Sequence, residues 1–261
     1  MTLAVELLGT TTKMAICTLR PGQTVYSEAG KFLFCSDDVT MTTRLSATSG
    51  AGSGAGGLGG LLRGAMAAGQ RMLAGESFAF TYFTTGGGSG LLGLAGVLPG
   101  EMRAIELDGR TTWFAEKDAF VAAEAGVEFS IAFSGMRNGL QGGEGFVLEK
   151  FTGVGTLLIG GSGDFVDLNP ADFGGRIKVD TGCVVAWDDR ISYGVTRVGG
   201  VANALFGGEG FRLATLEGDG RVILQSVTIA GLAKALEKHM KDSENRTGAG
   251  AISSIFGSSA G

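Results

Sequence analysis

Three carboxylates sit in one recurring local pattern. Glu76, Glu144 and Glu209 each occupy the second position of Gly-Glu-x-Phe, at spacings of 68 and 65 residues. Three such groups converging near a pseudo-threefold axis could form an ion or ligand site. A carboxylate at a strand entry could instead accept backbone N–H bonds from the Gly-rich turn beside it. In a strand the Phe two residues on shares the face of the Glu. Phe78, Phe146 and Phe211 are expected in the core, which favours the structural role for the three Glu.

Other residue types capable of chemistry are sparse. Asp37-Asp38 and Asp188-Asp189 are acidic pairs in matching places of the repeat described below. They could bind a cation or move protons, but recurrence at a turn favours an amide-accepting role. His239 is the single histidine, and its place in the last turns of a helix predicts an exposed side chain. Gly52, Gly54 and Gly57 have dinucleotide-fingerprint spacing, but no βαβ pattern surrounds them. No Walker motif and no Gly-x-Ser-x-Gly elbow occurs. Cys17, Cys35 and Cys183 are too few and too scattered for a zinc site or disulfide framework. The expectation is a protein that is not an enzyme, with no catalytic residue, cofactor or metal.

Composition narrows the classes further. The 261 residues include 48 Gly and only 3 Pro, with 44% apolar and 18% charged residues. That excludes collagen and disorder and leaves enough apolar matter for a core. A net charge of −5 argues against nucleic acid as a partner. The longest uncharged run, 77–100, carries seven Gly and five Ser or Thr, too polar for a membrane span. The first nine residues contain Glu6 and no basic region, so no signal peptide is expected. The expected location is the cytoplasm, or the periphery of a membrane.

The elements that must position these residues read as strands. Short apolar runs alternate with Gly pairs and with Asp108-Gly109 and Asp219-Gly220 turns. The second and third Gly-Glu copies extend into a longer match, in which 151–157 aligns with 216–222. An upstream half recurs as well: 28–34 resembles 180–186, and 117–123 fits between them. The pattern predicts an all-β fold of three repeated units, about 20–98, 99–160 and 161–227. They would form a pseudo-threefold sandwich or double-stranded β-helix-like arrangement. Ile229, Leu232, Ala233, Leu236 and Met240 recur at helical spacing and predict a C-terminal helix over 228–245. Its N-cap would be Thr228 and its apolar stripe would lie on the β body. One domain over 1–246 and a flexible tail over 247–261 are expected.

These motifs resemble the altered-inheritance-of-mitochondria-type family, within the tryptophan RNA-binding attenuation protein-like superfamily. The resemblance runs from about Val25 to Lys238. It rests on Leu73-Ala74-Gly75-Glu76-Ser77, Phe206-Gly207-Gly208-Glu209-Gly210, Val179-Asp180-Thr181-Gly182 and Leu224-Gln225-Ser226. It implies an all-β fold and a homo-oligomer. For mitochondrial members it implies a link to inner-membrane organisation. It brings no catalytic residues.

The stretch 45–74 is the long Gly-rich insertion of the first unit, with Leu58, Leu61, Leu62, Met66 and Met72. Permanent exposure of those side chains would leave an apolar patch. A neighbouring subunit, a membrane or a protein partner could cover it. The leading functional expectation is a non-enzymatic oligomeric β scaffold or binding protein linked to membrane organisation or stress. The alternative is an RNA- or small-ligand-binding protein.

Overall fold

The computed structural model describes residues 2–45, 79–133, 147–197 and 212–240. The chain divides into two compact units, Met1–Ser226 and Val227–Gly261. The first is built from antiparallel strands. After β1 (Ala4–Leu8), the strands fall into three stretches. The first holds β2 (Met14–Leu19), β3 (Thr24–Glu28), β4 (Phe32–Cys35), β5 (Val39–Leu45), β6 (Ala79–Thr85) and β7 (Gly90–Ala95). The second holds β8 (Met102–Asp108), β9 (Trp113–Glu116), β10 (Phe120–Glu124), β11 (Val127–Phe133) and β12 (Val147–Gly160). The third holds β13 (Phe165–Leu168), β14 (Arg176–Asp180), β15 (Val184–Asp188), β16 (Ile191–Arg197), β17 (Arg212–Gly218) and β18 (Val222–Gln225).

One pairing scheme occurs in all three stretches. A long hairpin of seven facing pairs joins β5 to β6, β11 to the first half of β12, and β16 to β17. On its other side, the returning strand of each hairpin pairs with β3, β9 or β14. A second ladder joins β4 to β7, β10 to the second half of β12, and β15 to β18. Its register slips at the same place each time, leaving Leu33, Val121 and Val185 in the bulge. The outer side of that ladder takes β2, β8 or β13.

In the second stretch the two returning strands run together as the fourteen-residue β12. Gly153 lies at the turning point with φ of 97°, and a Cβ there would sit 2.3 Å from the Gly126 carbonyl oxygen. Only glycine permits both the backbone angle and the approach.

Alternation decides the faces. Along β2, Ala15, Cys17 and Leu19 are buried while Met14, Ile16 and Thr18 are less so. Strands β10 and β15 are buried at every position because each lies between two cores. Phe120 and Ala123 belong to one cluster, with Tyr26, Phe80, Phe129 and Phe151. Val121 and Ala122 belong to another, with Val25, Phe83 and Leu92. Val184 and Trp187 likewise face a third cluster, and Val185 and Ala186 face the first.

In the second unit a helix, α1, is described over 229–240. Thr228 caps it as expected: its Oγ1 accepts the Gly231 N–H at 3.0 Å. Ile229, Leu236 and Met240 of its apolar stripe are exposed.

Candidate functional site: strand joints and their buried carboxylates

The stretches are stitched together by strands crossing between them. Strand β10 of the second lies antiparallel on β3 of the first, with Ala122, Ala123 and Glu124 facing Ser27, Tyr26 and Val25. Strand β15 of the third lies on β9 of the second in the same manner. There Ala186, Trp187 and Asp188 face Ala115, Phe114 and Trp113. Side chains reinforce the first joint. Ser27 Oγ donates to the Val121 carbonyl at 2.7 Å, and Tyr26 Oη donates to the Val127 carbonyl at 2.9 Å. Burial pushes the Tyr26 phenol pKa well above its ordinary value.

Each joint ends in a buried carboxylate that gathers backbone amides. Glu124 Oε2 accepts the Thr156 N–H at 2.7 Å and the Leu3 N–H at 3.1 Å, and Oε1 accepts Gln23 Nε2 at 2.7 Å. Asp188 Oδ2 accepts the Arg221 N–H at 2.9 Å, and Oδ1 accepts the Arg190 N–H at 3.1 Å. The Arg190 guanidinium completes the shell at 2.5 Å. Burial alone would raise the Asp188 pKa. The hydrogen bonds from Arg190 and the amides of Arg221 and Arg190 outweigh it and hold the carboxyl below its usual range. In the first stretch Ser36 takes this place, its Oγ accepting the Leu91 N–H at 3.0 Å.

A different carboxylate lies in the same region. Glu149 on β12 faces Ala115 of β9 and Ile131 of β11, and it is fully buried. Among the described residues neither of its oxygens has a hydrogen-bond partner. Burial first, then the charges of Glu28, Glu116 and Asp118, raise its pKa well above the ordinary carboxyl value, with Lys31 opposing. Lys31 is itself buried and donates to the Asp118 carbonyl at 3.4 Å. Such a carboxyl retains its proton where a solvated one has lost it. It is closed to solvent, so as placed it does not meet a substrate. Among the described residues no three His, Cys, Asp or Glu side chains converge to hold a metal ion.

The expected site residues fare unequally. Glu76, Glu144 and Glu209, with Phe78, Phe146 and Phe211, lie outside the described residues. So do Gly52, Gly54, Gly57, Leu58, Leu61, Leu62, Met66 and Met72. His239 is exposed on α1. The acidic pairs are displaced from the expected match by one residue. Asp37 corresponds to Asp189 and Ser36 to Asp188, since the ladders set Phe34 level with Ala186, as the match of 28–34 with 180–186 also does. Asp189 Oδ2 accepts the Thr112 N–H at 3.0 Å, so this pair serves the joint. Glu124 and Glu149 were absent from the sequence candidates. No spacing marks them, since the partners of Glu124 lie 32, 101 and 121 residues away.

This architecture has relatives. A crystal structure of a Streptococcus pyogenes protein superposes with a TM-score of 0.67 at 23% identity, covering 91% of this chain and 98% of that one. An uncharacterized protein of Streptococcus pyogenes serotype M6 is 27% identical over 228 residues, 87% of this chain and 86% of its own length. The model of a family described as mitochondrial biogenesis AIM24 matches residues 5–227. The chain belongs to the AIM24 family.

Proposed function

We propose that this protein is a non-enzymatic, homo-oligomeric β scaffold that acts by binding, in a role tied to membrane organisation or stress. The observation that carries the reading is an apolar strand at a sheet edge. Phe32, Leu33 and Phe34 on β4 are all exposed, and β4 ends the order β1-β2-β7-β4. An unpaired edge bearing large apolar side chains is a template for another chain. The use of Glu124 and Asp188 as amide acceptors within the joints supports a structural over a catalytic economy of carboxylates.

Family membership is consistent with a part in mitochondrial-biogenesis-type processes. Among the described residues no helix is long and apolar enough to cross a membrane. We assign contact with a membrane or a protein partner to the 45–74 stretch, and a cytoplasmic or membrane-peripheral location to the protein. Light scattering across a hundredfold range of protein concentration tests the scaffold. A mass of several chains that persists on dilution is expected, and a single-chain mass throughout overturns the reading. Flotation with vesicles of mixed neutral and anionic lipid, comparing the full chain with one lacking 50–70, tests the assigned contact. Equal flotation of the two overturns that assignment.

A further inference from the structure

The three stretches offer three equivalent pairs of joint-forming strands, yet two joints are made among the described residues. Strand β10 uses β3, and β15 uses β9. Among the described residues, β4, the counterpart of β10 and β15, pairs only with β7, and β14, the counterpart of β3 and β9, pairs only with β17. The geometry points to a third joint made between copies: β4 of one chain lies antiparallel on β14 of a second copy of this chain. This deepens the homo-oligomeric reading above, on which it rests, by naming the two surfaces that meet.

The exposure of equivalent residues carries the argument. The bulge residue and its successor are Val121 and Ala122 in β10, each 0% exposed, and Val185 and Ala186 in β15, at 1% and 0%. In β4 they are Leu33 and Phe34, at 47% and 42%. The two inner strands reach full burial by inserting into the core of the preceding stretch, and among the described residues no stretch takes β4 in that way. The other edge shows the same deficit. Val25 and Ser27 of β3, and Trp113 and Ala115 of β9, are buried. Their counterparts Ile177 and Val179 of β14 are only partly so.

Register follows from the two existing joints. Phe34 should face Val179, Cys35 should face Lys178, and Ser36 should face Ile177. The next residue adds a check from charge. In the joints within the chain, the Ala125 N–H donates to the Thr24 carbonyl at 3.0 Å and the Asp189 N–H to the Thr112 carbonyl at 2.9 Å. The corresponding residues across copies are Asp37 and Arg176, of opposite charge and both exposed, with Arg176 also paired to Glu217 of its own chain at 2.7 Å. The Asp189 carboxylate already accepts the Thr112 N–H in its joint. Asp37 is poised to do the same for Arg176. Because the two surfaces differ, assembly is head to tail.

Two variants locate the joint. One carries Cys35 with Cys183→Ser. The other carries Lys178→Cys with Cys35→Ser and Cys183→Ser. Cys17 is fully buried and remains in both. Mixed, with time for subunit exchange, and mildly oxidised, they should give a covalent pair of two chains on a non-reducing gel, and neither alone should do so. A single variant combining Cys35, Lys178→Cys and Cys183→Ser should give ladders of linked chains; a disulfide closing within one chain would overturn the proposal. Leu33→Asp, at an exposed position of the isolated chain, should reduce the native mass to one chain while the circular-dichroism spectrum stays unchanged. A multi-chain wild type that neither cross-links in the mixture nor dissociates on Leu33→Asp refutes this joint and leaves the scaffold standing. A wild type that is a single chain refutes both.

Discussion

Glu124 and Glu149 lie 25 residues apart on the second stretch, and both are taken out of water. Glu124 faces three donors from three distant parts of the chain. Glu149 faces none among the described residues. The difference shows how one fold uses the same side chain in opposite ways. A buried carboxylate surrounded by amides is a fastener, because each amide would otherwise be left unsatisfied. A buried carboxyl without donors is a standing cost, tolerated because it can remain protonated. Position explains the contrast. Glu124 ends β10, where the ladder gives out and the Thr156 and Leu3 amides need an acceptor. Glu149 lies mid-strand, where the backbone groups are already paired with β9 and β11.

The largest effect should follow from breaking the fastener. Glu124→Ala leaves the amides of Leu3 and Thr156 without their acceptor and opens a void beneath the N-terminal segment. At about 1–3 kcal/mol for each buried unsatisfied group, the loss should reach several kcal/mol. Urea denaturation followed by fluorescence measures it. A midpoint equal to wild type would show that water replaces the carboxylate without loss. Hydrogen exchange at Leu3 and Thr156 should rise in Glu124→Gln, which keeps one carbonyl acceptor and much of the stability.

Asp188→Asn should cost less, about 1–3 kcal/mol, because Asn retains one acceptor for the two amides and loses the ion pair with a largely exposed Arg190. Its pH signature is separate. The folded pKa of Asp188 is depressed, so its contribution is present above the unfolded value near 3.8 and is lost as pH falls through the folded value. Wild type and Asp188→Asn should therefore converge in stability on acidification below pH 4. A constant gap down to that range would mean that the ionised carboxylate does not supply the difference.

The sequence made much of the fold legible and little of this contrast. The Asp108-Gly109 turn has the positive φ its residues predict, at 82° on Gly109, and falls between β8 and β9. The aligned segments 151–157 and 216–222 place Gly153 with Gly218 and Thr156 with Arg221. In the structure, Gly153 and Gly218 each close a seven-pair hairpin. The amides of Thr156 and Arg221 each meet the carboxylate at the end of a joint. The upstream match of Phe32–Phe34 with Val184–Ala186 likewise falls on the same bulge. Those features are local, so spacing records them. A joint is a contact between strands about 75 to 100 residues apart, as with Asp188 on Trp113 or Ala122 on Ser27, and no short pattern encodes it. The acidic pairs were visible as pairs, but the same upstream match sets Asp37 level with Asp189 and Ser36 level with Asp188, so only one member of each pair shares a position.

The smallest effect, and the one opposite in sign, belongs to Glu149. Its folded pKa is raised above the unfolded value near 4.5. The folded state therefore binds more protons than the unfolded state between those two values, and stability falls as pH rises through that window. Below pH 4.5 both states hold the proton and the group is indifferent. Above it the unfolded chain gains by ionising while the folded chain either keeps the proton or exposes a charge to Glu28, Glu116 and Asp118. Glu149→Gln removes the titration and keeps the shape. Its melting temperature should match or slightly exceed that of wild type at pH 4.5, and the advantage should widen steadily toward pH 8. Glu149→Leu should stabilise further, by about 1 kcal/mol or more, since an apolar side chain of similar volume carries no unmet polar atoms. Lys31 sets the limit on that gain. It lies close enough to lower the Glu149 pKa, so if the pair were ionised together in the folded state, removing the carboxylate would strand a buried ammonium. The two cases separate in the same melts: a gap that widens with pH means a protonated Glu149, and a variant that is less stable than wild type at pH 8 means a charged one held by Lys31.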